Sequence, residues 1–210
     1  MIEKRIAIEK TVRYFQIGNI EESKNLLIVM HGYGQLPLYF GRQFERLSKD
    51  FLVLIPEGMH RFYLEGSSGR VGASWMTKEA REDDIEDNMN YLEKLIKEYV
   101  KTKHFEKIIL VGFSQGGATA ARFFYAKRQK IDHLILWASV FPPDLNIKNE
   151  IASSSSKNFF FLGSDDPYFT EEERLKVVNF YSKMNYSIIQ YPGNHSIDDF
   201  YLNKILNTLI

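Results

Sequence analysis

Apolar runs, many of them β-branched, recur along the chain at residues 26–30, 51–56, 107–111 and 158–163, with further strands predicted at 133–138 and 187–191. Runs of this length without polar alternation predict strands buried on both faces of a parallel sheet. Between them the apolar positions take helical spacing. Phe40, Phe44 and Leu47 do so within 38–48, and Ile85, Met89, Leu92, Leu95 and Ile96 within 80–103; further helices are predicted at 118–126, 171–184 and 197–209. Strand and helix alternate, which predicts an α/β architecture: a mostly parallel sheet covered on both faces, with right-handed connections. Residues 6–8 and 11–16 read as two short strands forming an antiparallel edge, followed by a Gly18-Asn19 turn. Two stretches break the rhythm. The polar, glycine-rich segment 57–78 predicts a long connection without regular structure, of the length that is usually functional. The segment 147–157, with serines at 153–156, predicts a solvated loop.

Composition narrows the function classes. A chain of 210 residues with 44% hydrophobic content reads as one domain over 1–210, without room for a separate cap domain. Lys plus Arg equals Asp plus Glu at 27 each, so no global field draws the chain to nucleic acid or to an anionic membrane. The absence of cysteine removes disulfides, thiolate chemistry and cysteine metal sites. Residues 1–5 lack the apolar core of a signal peptide, and no apolar run is long enough to span a bilayer. The expectation is a soluble, cytoplasmic protein, with its oligomeric state left open. The acidic Glu82-Asp83-Asp84 reads as charge favoured at a helix N-terminus rather than as a metal site.

The chemistry is carried by Gly112-Phe113-Ser114-Gln115-Gly116-Gly117, set between a buried strand and a helix. Glycines on both sides allow the sharp strand-to-helix turn that lifts a serine hydroxyl above a sheet, the nucleophile-elbow arrangement. Ser114, Asp166 and His195 each follow a predicted strand. Ligands of open α/β sheets sit at the carboxyl ends of the strands, so the three are predicted to share one edge. A serine hydroxyl needs a base to take its proton, a base needs an orienting acid, and His195 and Asp166 suit those roles. Asp165 and Asp144 remain alternatives for the acid; Pro167, fixing the turn after Asp166, favours the latter. The glycine-bearing loop His31-Gly32-Tyr33-Gly34 follows a buried strand and can offer main-chain N–H groups to a developing oxyanion, with His31 ordering the loop. Trp75, Met76, Phe141, Tyr168 and Phe169 are candidate walls of an apolar substrate pocket.

With these residues in place, the chain resembles a serine hydrolase of the α/β-hydrolase superfamily, most closely the phospholipase/carboxylesterase family that includes acyl-protein thioesterases. The resemblance rests on His31-Gly32-Tyr33-Gly34, on Gly112 to Gly117, on Gly163-Ser164-Asp165-Asp166-Pro167 and on Gly193-Asn194-His195-Ser196, which lie in that order along nearly the whole chain. Nucleophile, acid and base in the order Ser, Asp, His is the order of that superfamily. The resemblance implies main-chain N–H donors at Tyr33 and Gln115, a catalytic set of Ser114, Asp166 and His195, a small-molecule ester or thioester substrate, and neither metal nor organic cofactor. The same triad serves peptidases, and some hydrolase folds act as binding modules without catalysis. Because the donor at 115 is backbone, Gln115→Ala is expected to keep most activity and Gln115→Pro to lose it. Hydrolysis should fall on acidification below about pH 6, as a histidine base becomes protonated; a rate that stays flat from about pH 8 to 5 would remove His195 from that role.

Overall fold

A computed structural model describes residues 1–145 and 157–210; the predicted serine loop at 147–157 therefore lies almost wholly outside the described residues. The apolar runs form β2 (Asn25–Met30), β3 (Phe51–Pro56), β6 (Lys107–Phe113), β7 (His133–Trp137), β8 (Phe159–Gly163) and β9 (Ser187–Tyr191). With β1 (Tyr14–Ile17) they make a seven-stranded sheet in the order β1-β3-β2-β6-β7-β8-β9. Every neighbouring pair is parallel except β1 with β3. All residues of β2, β3, β7 and β8 are buried, which requires cover on both faces. That cover is why these strands carry no polar alternation.

The helices are α1 (Pro37–Phe40), α2 (Arg81–Thr102), α3 (Gln115–Ala126), α4 (Glu171–Lys183) and α5 (Asp199–Leu206). The segment predicted as one helix over 38–48 is α1 continued by a tighter 3-10 helix, Gly41–Leu47, which still buries Phe40, Phe44 and Leu47. Glu82, Asp83 and Asp84 occupy the first turn of α2. Asp83 pairs there with Arg5, and Asp84 accepts the Thr77 N–H. Among the described residues no helix is long and apolar enough to cross a membrane.

Two expectations fail. Residues 6–8 form no strand; Ile6 and Ile8 lie exposed and unpaired although, among the described residues, the outer edge of β1 is free. The predicted 11–16 strand is observed as β1, Tyr14–Ile17. The connection 57–78 is structured. It contains an antiparallel hairpin, β4 (His60–Glu65) and β5 (Ser68–Ser74), turning at Gly66-Ser67 with Gly66 at φ 60°. A glycine-serine pair between two runs is itself a hairpin signal, masked here because β4 is mostly exposed and polar.

The hairpin is tied to the sheet. Gly34 N donates to Ala73 O at 2.9 Å and Ala73 N to Gln35 O at 3.1 Å, pairing β5 with the loop that leaves β2. The contact is close: a Cβ at Gly72 would lie 2.4 Å from the Gly34 carbonyl oxygen. At its base, Glu57 is buried and accepts from Arg13 and Arg61, joining the ends of β1, β3 and β4 through one carboxylate. The hairpin thus stands as a fixed wall over the carboxyl ends of β2 and β6.

Candidate active site

Ser114 sits between β6 and α3 with φ 51° and ψ −121°, a conformation that costs a non-glycine residue about 1–3 kcal/mol. The turn is clamped from both sides. Ser114 N donates to Trp137 O on β7 at 2.9 Å, and Gly117 N to Ser114 O at 3.0 Å. It also lies hard against the end of β2: a Cβ on Gly116 would come within 2.4 Å of Met30 O and 2.5 Å of His31 O, closer than carbon and oxygen can approach. The glycine lets α3 begin beside the 31–34 loop, and Gln115 and Tyr33 border one cleft. As the first residue of α3, Gln115 has no intrahelical acceptor for its N–H, and no hydrogen bond from the Tyr33 N–H is present among the described residues.

His195 and Asp166 arrive from the far side. Asp166, in the turn after β8, is buried; its Oδ1 accepts the Tyr168 N–H at 3.0 Å and its Oδ2 lies 2.7 Å from His195 Nδ1. A carboxylate only accepts, so Nδ1 carries a proton, and in the neutral ring Nε2 is the free nitrogen. The ring is held between Phe113 and Tyr168, with centroid separations of 4.8 and 4.5 Å. Behind it, Tyr191 OH donates to Ser196 O and accepts from Trp137 Nε1, both at 2.6 Å, pinning the His195 loop to the sheet. Burial pushes the Tyr191 phenol up to about 12, so it stays a neutral donor.

The alternative acids are placed elsewhere. Asp165 is exposed and accepts from Ser164 Oγ. Asp144 accepts from Arg122 at 2.9 and 2.7 Å and from Arg81; its hydrogen bonds with Arg122 hold it down to about 2.

Ser114 and His195 border the same cleft of about 730 Å³, and Tyr168 and Phe169 line it with Ala118, Val140 and Val177. Trp75, Met76 and Phe141 do not line it. Trp75 is fully buried behind the 31–34 loop, with Nε1 donating to His31 O at 2.8 Å. The Met76 carbonyl accepts from Gln115. Phe141 packs among Tyr125, Phe180 and Tyr181. Sequence marks a side chain as apolar without saying which way it faces: Trp75 and Phe141 face the interior, and Met76 lies half-buried beside Arg122. The wall residues Val140 and Val177 carry no signal beyond being apolar beside a turn or on a helix. Among the described residues, no group of three or more His, Asp or Glu side chains is arranged to hold a metal ion.

A buried polar network supports the loop that carries Tyr33. His31 Nδ1 donates to Gly32 O at 2.7 Å, and its Nε2 accepts the Gly58 N–H at 3.0 Å, so both ring nitrogens are committed and the imidazole is neutral. Burial lowers its pKa to about 4. The Gln115 side chain completes the frame: Oε1 accepts from Trp75 N at 3.0 Å and Ser74 Oγ at 3.2 Å, while Nε2 donates to Met76 O at 2.8 Å. This side chain ties the elbow to the end of the hairpin, a structural role that its backbone alone does not supply.

Two outcomes follow from that network. Gln115→Ala should lower unfolding free energy by about 2 kcal/mol by stranding the buried Trp75 N–H, measured as a shift in the urea midpoint; an unshifted midpoint would mean the three bonds contribute nothing. His31 acts through acid. Above about pH 6.5 neither folded nor unfolded His31 is protonated, but between about 6.5 and 4 the unfolded chain binds a proton that the folded one refuses. Stability should fall over that window by up to about 3 kcal/mol, and a His31→Asn variant, less stable throughout, should show a shallower pH dependence. Parallel curves would contradict the assignment.

Comparison with known proteins places this geometry. A family model described as phospholipase/carboxylesterase matches residues 15–209. A probable 1-acylglycerol-3-phosphate O-acyltransferase of Oryza sativa subsp. japonica is 29% identical over 116 residues, covering 55% of this chain and 25% of the relative. The chain thus matches about a quarter of that relative's length. Among solved structures, Zea mays acyl-protein thioesterase 2 superposes with a TM-score of 0.68 at 17% identity, covering 94% of this chain and 97% of that one. The Bacillus cereus carboxylesterase gives 0.67 at 18%, covering 94% and 92%. At such identities the likeness shows the fold, which is that of the α/β hydrolases. Since the family match runs from within β1 to beyond the end of α5, the chain belongs to the phospholipase/carboxylesterase family.

Proposed function

We propose that the protein hydrolyses a small carboxylic ester or thioester through an acyl-serine intermediate. The observation that carries this reading is the 2.7 Å contact from His195 Nδ1 to buried Asp166, which fixes the tautomer whose free Nε2 can act as base, in a ring bordering the cleft that also contains Ser114. Ser114 Oγ attacks the carbonyl carbon and passes its proton to His195 Nε2. The carbonyl oxygen becomes an oxyanion, held by the Tyr33 and Gln115 N–H groups. Collapse breaks the bond to the leaving oxygen or sulfur, which takes the proton from His195. Water then adds to the acyl-serine, giving a proton to His195, and the acid leaves as Ser114 regains its hydrogen. Asp166 stays ionised throughout, orienting the ring and stabilising the imidazolium. Each step balances with these groups alone. The apolar wall of Ala118, Val140, Phe169 and Val177 suits an acyl chain.

Intact mass after exposure to a fluorophosphonate tests the nucleophile: a single adduct is expected on the wild type and none on Ser114→Ala. An unlabelled, folded wild type would favour the reading as a binding module. Asp166→Asn should lower kcat about a thousandfold or more by trapping the wrong tautomer, whereas Asp165→Asn should stay within about threefold. Comparable rates on matched ester and amide substrates would move the assignment to a peptidase.

A further inference from the structure

His195 borders a second hollow, of about 1070 Å³, on the side away from the acyl wall. Ser114, Tyr33 and Gln115 belong to the first cleft and not to this one, while Gln35, Phe113 and His195 border both. On the reading proposed above, His195 returns its proton to the leaving group, so the leaving group must lie on His195's side of the scissile bond. The second hollow is the space available to it.

Its lining is chemically distinct. Arg42, from the 3-10 helix Gly41–Leu47, and Arg70, from β5, come from separate parts of the chain and border the same hollow, along with Leu36, Tyr39 and Val71, and no Asp or Glu is among its lining residues. The chain has ten arginines. Arg5, Arg13, Arg61, Arg81, Arg122 and Arg128 pair with carboxylates, and Arg174 is spent on main-chain carbonyls. Only Arg42, Arg46 and Arg70 meet neither among the described residues, and two of these three face this hollow. The Arg42 guanidinium lies 5.2 Å from the centre of the Tyr39 ring, which steadies it without neutralising it. Two unneutralised guanidiniums thus border the same hollow as the proton donor of the leaving step, and guanidinium is the side chain that best pairs with a carboxylate or a phosphate.

We infer that the substrate's leaving alcohol or thiol carries an anionic group, a phosphate or a carboxylate, held by Arg42 and Arg70. This rests on the hydrolase reading and adds to it the charge and position of the substrate's second end. The charge neutrality of the whole chain does not oppose it, because the attraction is local to the hollow.

The test compares butanoyl esters of 2-hydroxyethyl phosphate, of glycolate and of 2-methoxyethanol, which share an acyl group and differ in the leaving side. For the wild type, kcat/KM on at least one anionic ester should exceed that on the neutral ester by about tenfold. Arg42→Gln and Arg70→Gln should each lower that ratio about fivefold, and raising ionic strength from about 0.02 to 0.5 M should shrink the wild-type ratio. Whichever anionic ester leads identifies the anion. A wild-type ratio of one or less, or a ratio that survives in the double variant, overturns the subsite while leaving Ser114-dependent hydrolysis standing. If no ester is cleaved and no fluorophosphonate adduct forms, the hydrolase reading fails, and calorimetry with phenyl phosphate decides the anion site by itself. Saturable binding lost in the double variant supports it, and no binding overturns it.

Discussion

The contact on which the rest depends is the approach of the Ser114 turn to the end of β2. Gly116 packs where a Cβ would meet the Met30 and His31 carbonyl oxygens. Because it can do so, α3 starts close enough to the 31–34 loop for Tyr33 and Gln115, from different strand ends, to border one cleft. The strained Ser114 backbone is the local cost of that approach. It is offset by the hydrogen bond to Trp137 O and by burial of β6 and β7 on either side. A serine in this conformation on an unsupported loop would relax; here the sheet leaves it no other position.

Around that contact most buried polar groups find partners; Ser139 Oγ, packed beside Gly117, finds none among the described residues. His31 uses both ring nitrogens, Trp75 gives its indole N–H to His31 O, and Gln115 bridges to residues 74–76. A buried polar group without a partner is costly, so a network of this kind has few alternative arrangements. Its effect is to make hairpin, loop and elbow one rigid frame, with the cleft formed between that frame and the turns after β8 and β9. The site is accordingly built from four strand ends that are far apart in sequence and adjacent in the sheet.

That distribution also explains what could be read from the sequence. Strands β2, β3, β6, β7 and β8 were legible because burial on both faces leaves an uninterrupted apolar run, and Ser114 and Asp166 stood out because they follow such runs; His195 follows the less buried β9. The hairpin was not, since β4 is exposed and its residues alternate only weakly. Nor was the orientation of aromatics: Trp75 and Phe141 face the interior and Tyr168 the cleft, a difference set by packing partners distant in the chain. The choice among Asp144, Asp165 and Asp166 was open in the sequence because all three follow strands. Geometry separates them, since Asp144 is engaged by Arg122 and Arg81, Asp165 faces solvent, and Asp166 alone reaches the His195 ring. Gln115 was read for its backbone alone, because a side-chain frame of this kind joins residues about 40 positions apart and leaves no local pattern.

The two hollows give the proposed reaction a spatial order. An ester seated across Ser114 would place its acyl part against Val140, Phe169 and Val177 and its leaving part beyond His195, because the imidazole stands at the border of both spaces. Departure of the leaving group then empties the hollow from which water must reach Nε2, while the acyl group remains on the serine in the other. One histidine, with Nδ1 committed to Asp166, can thus serve as acid toward one occupant and as base toward the next without moving. In the proposed reaction, the contacts of the ring with Phe113, Tyr168 and Asp166 would let the two half-reactions share a single ring position.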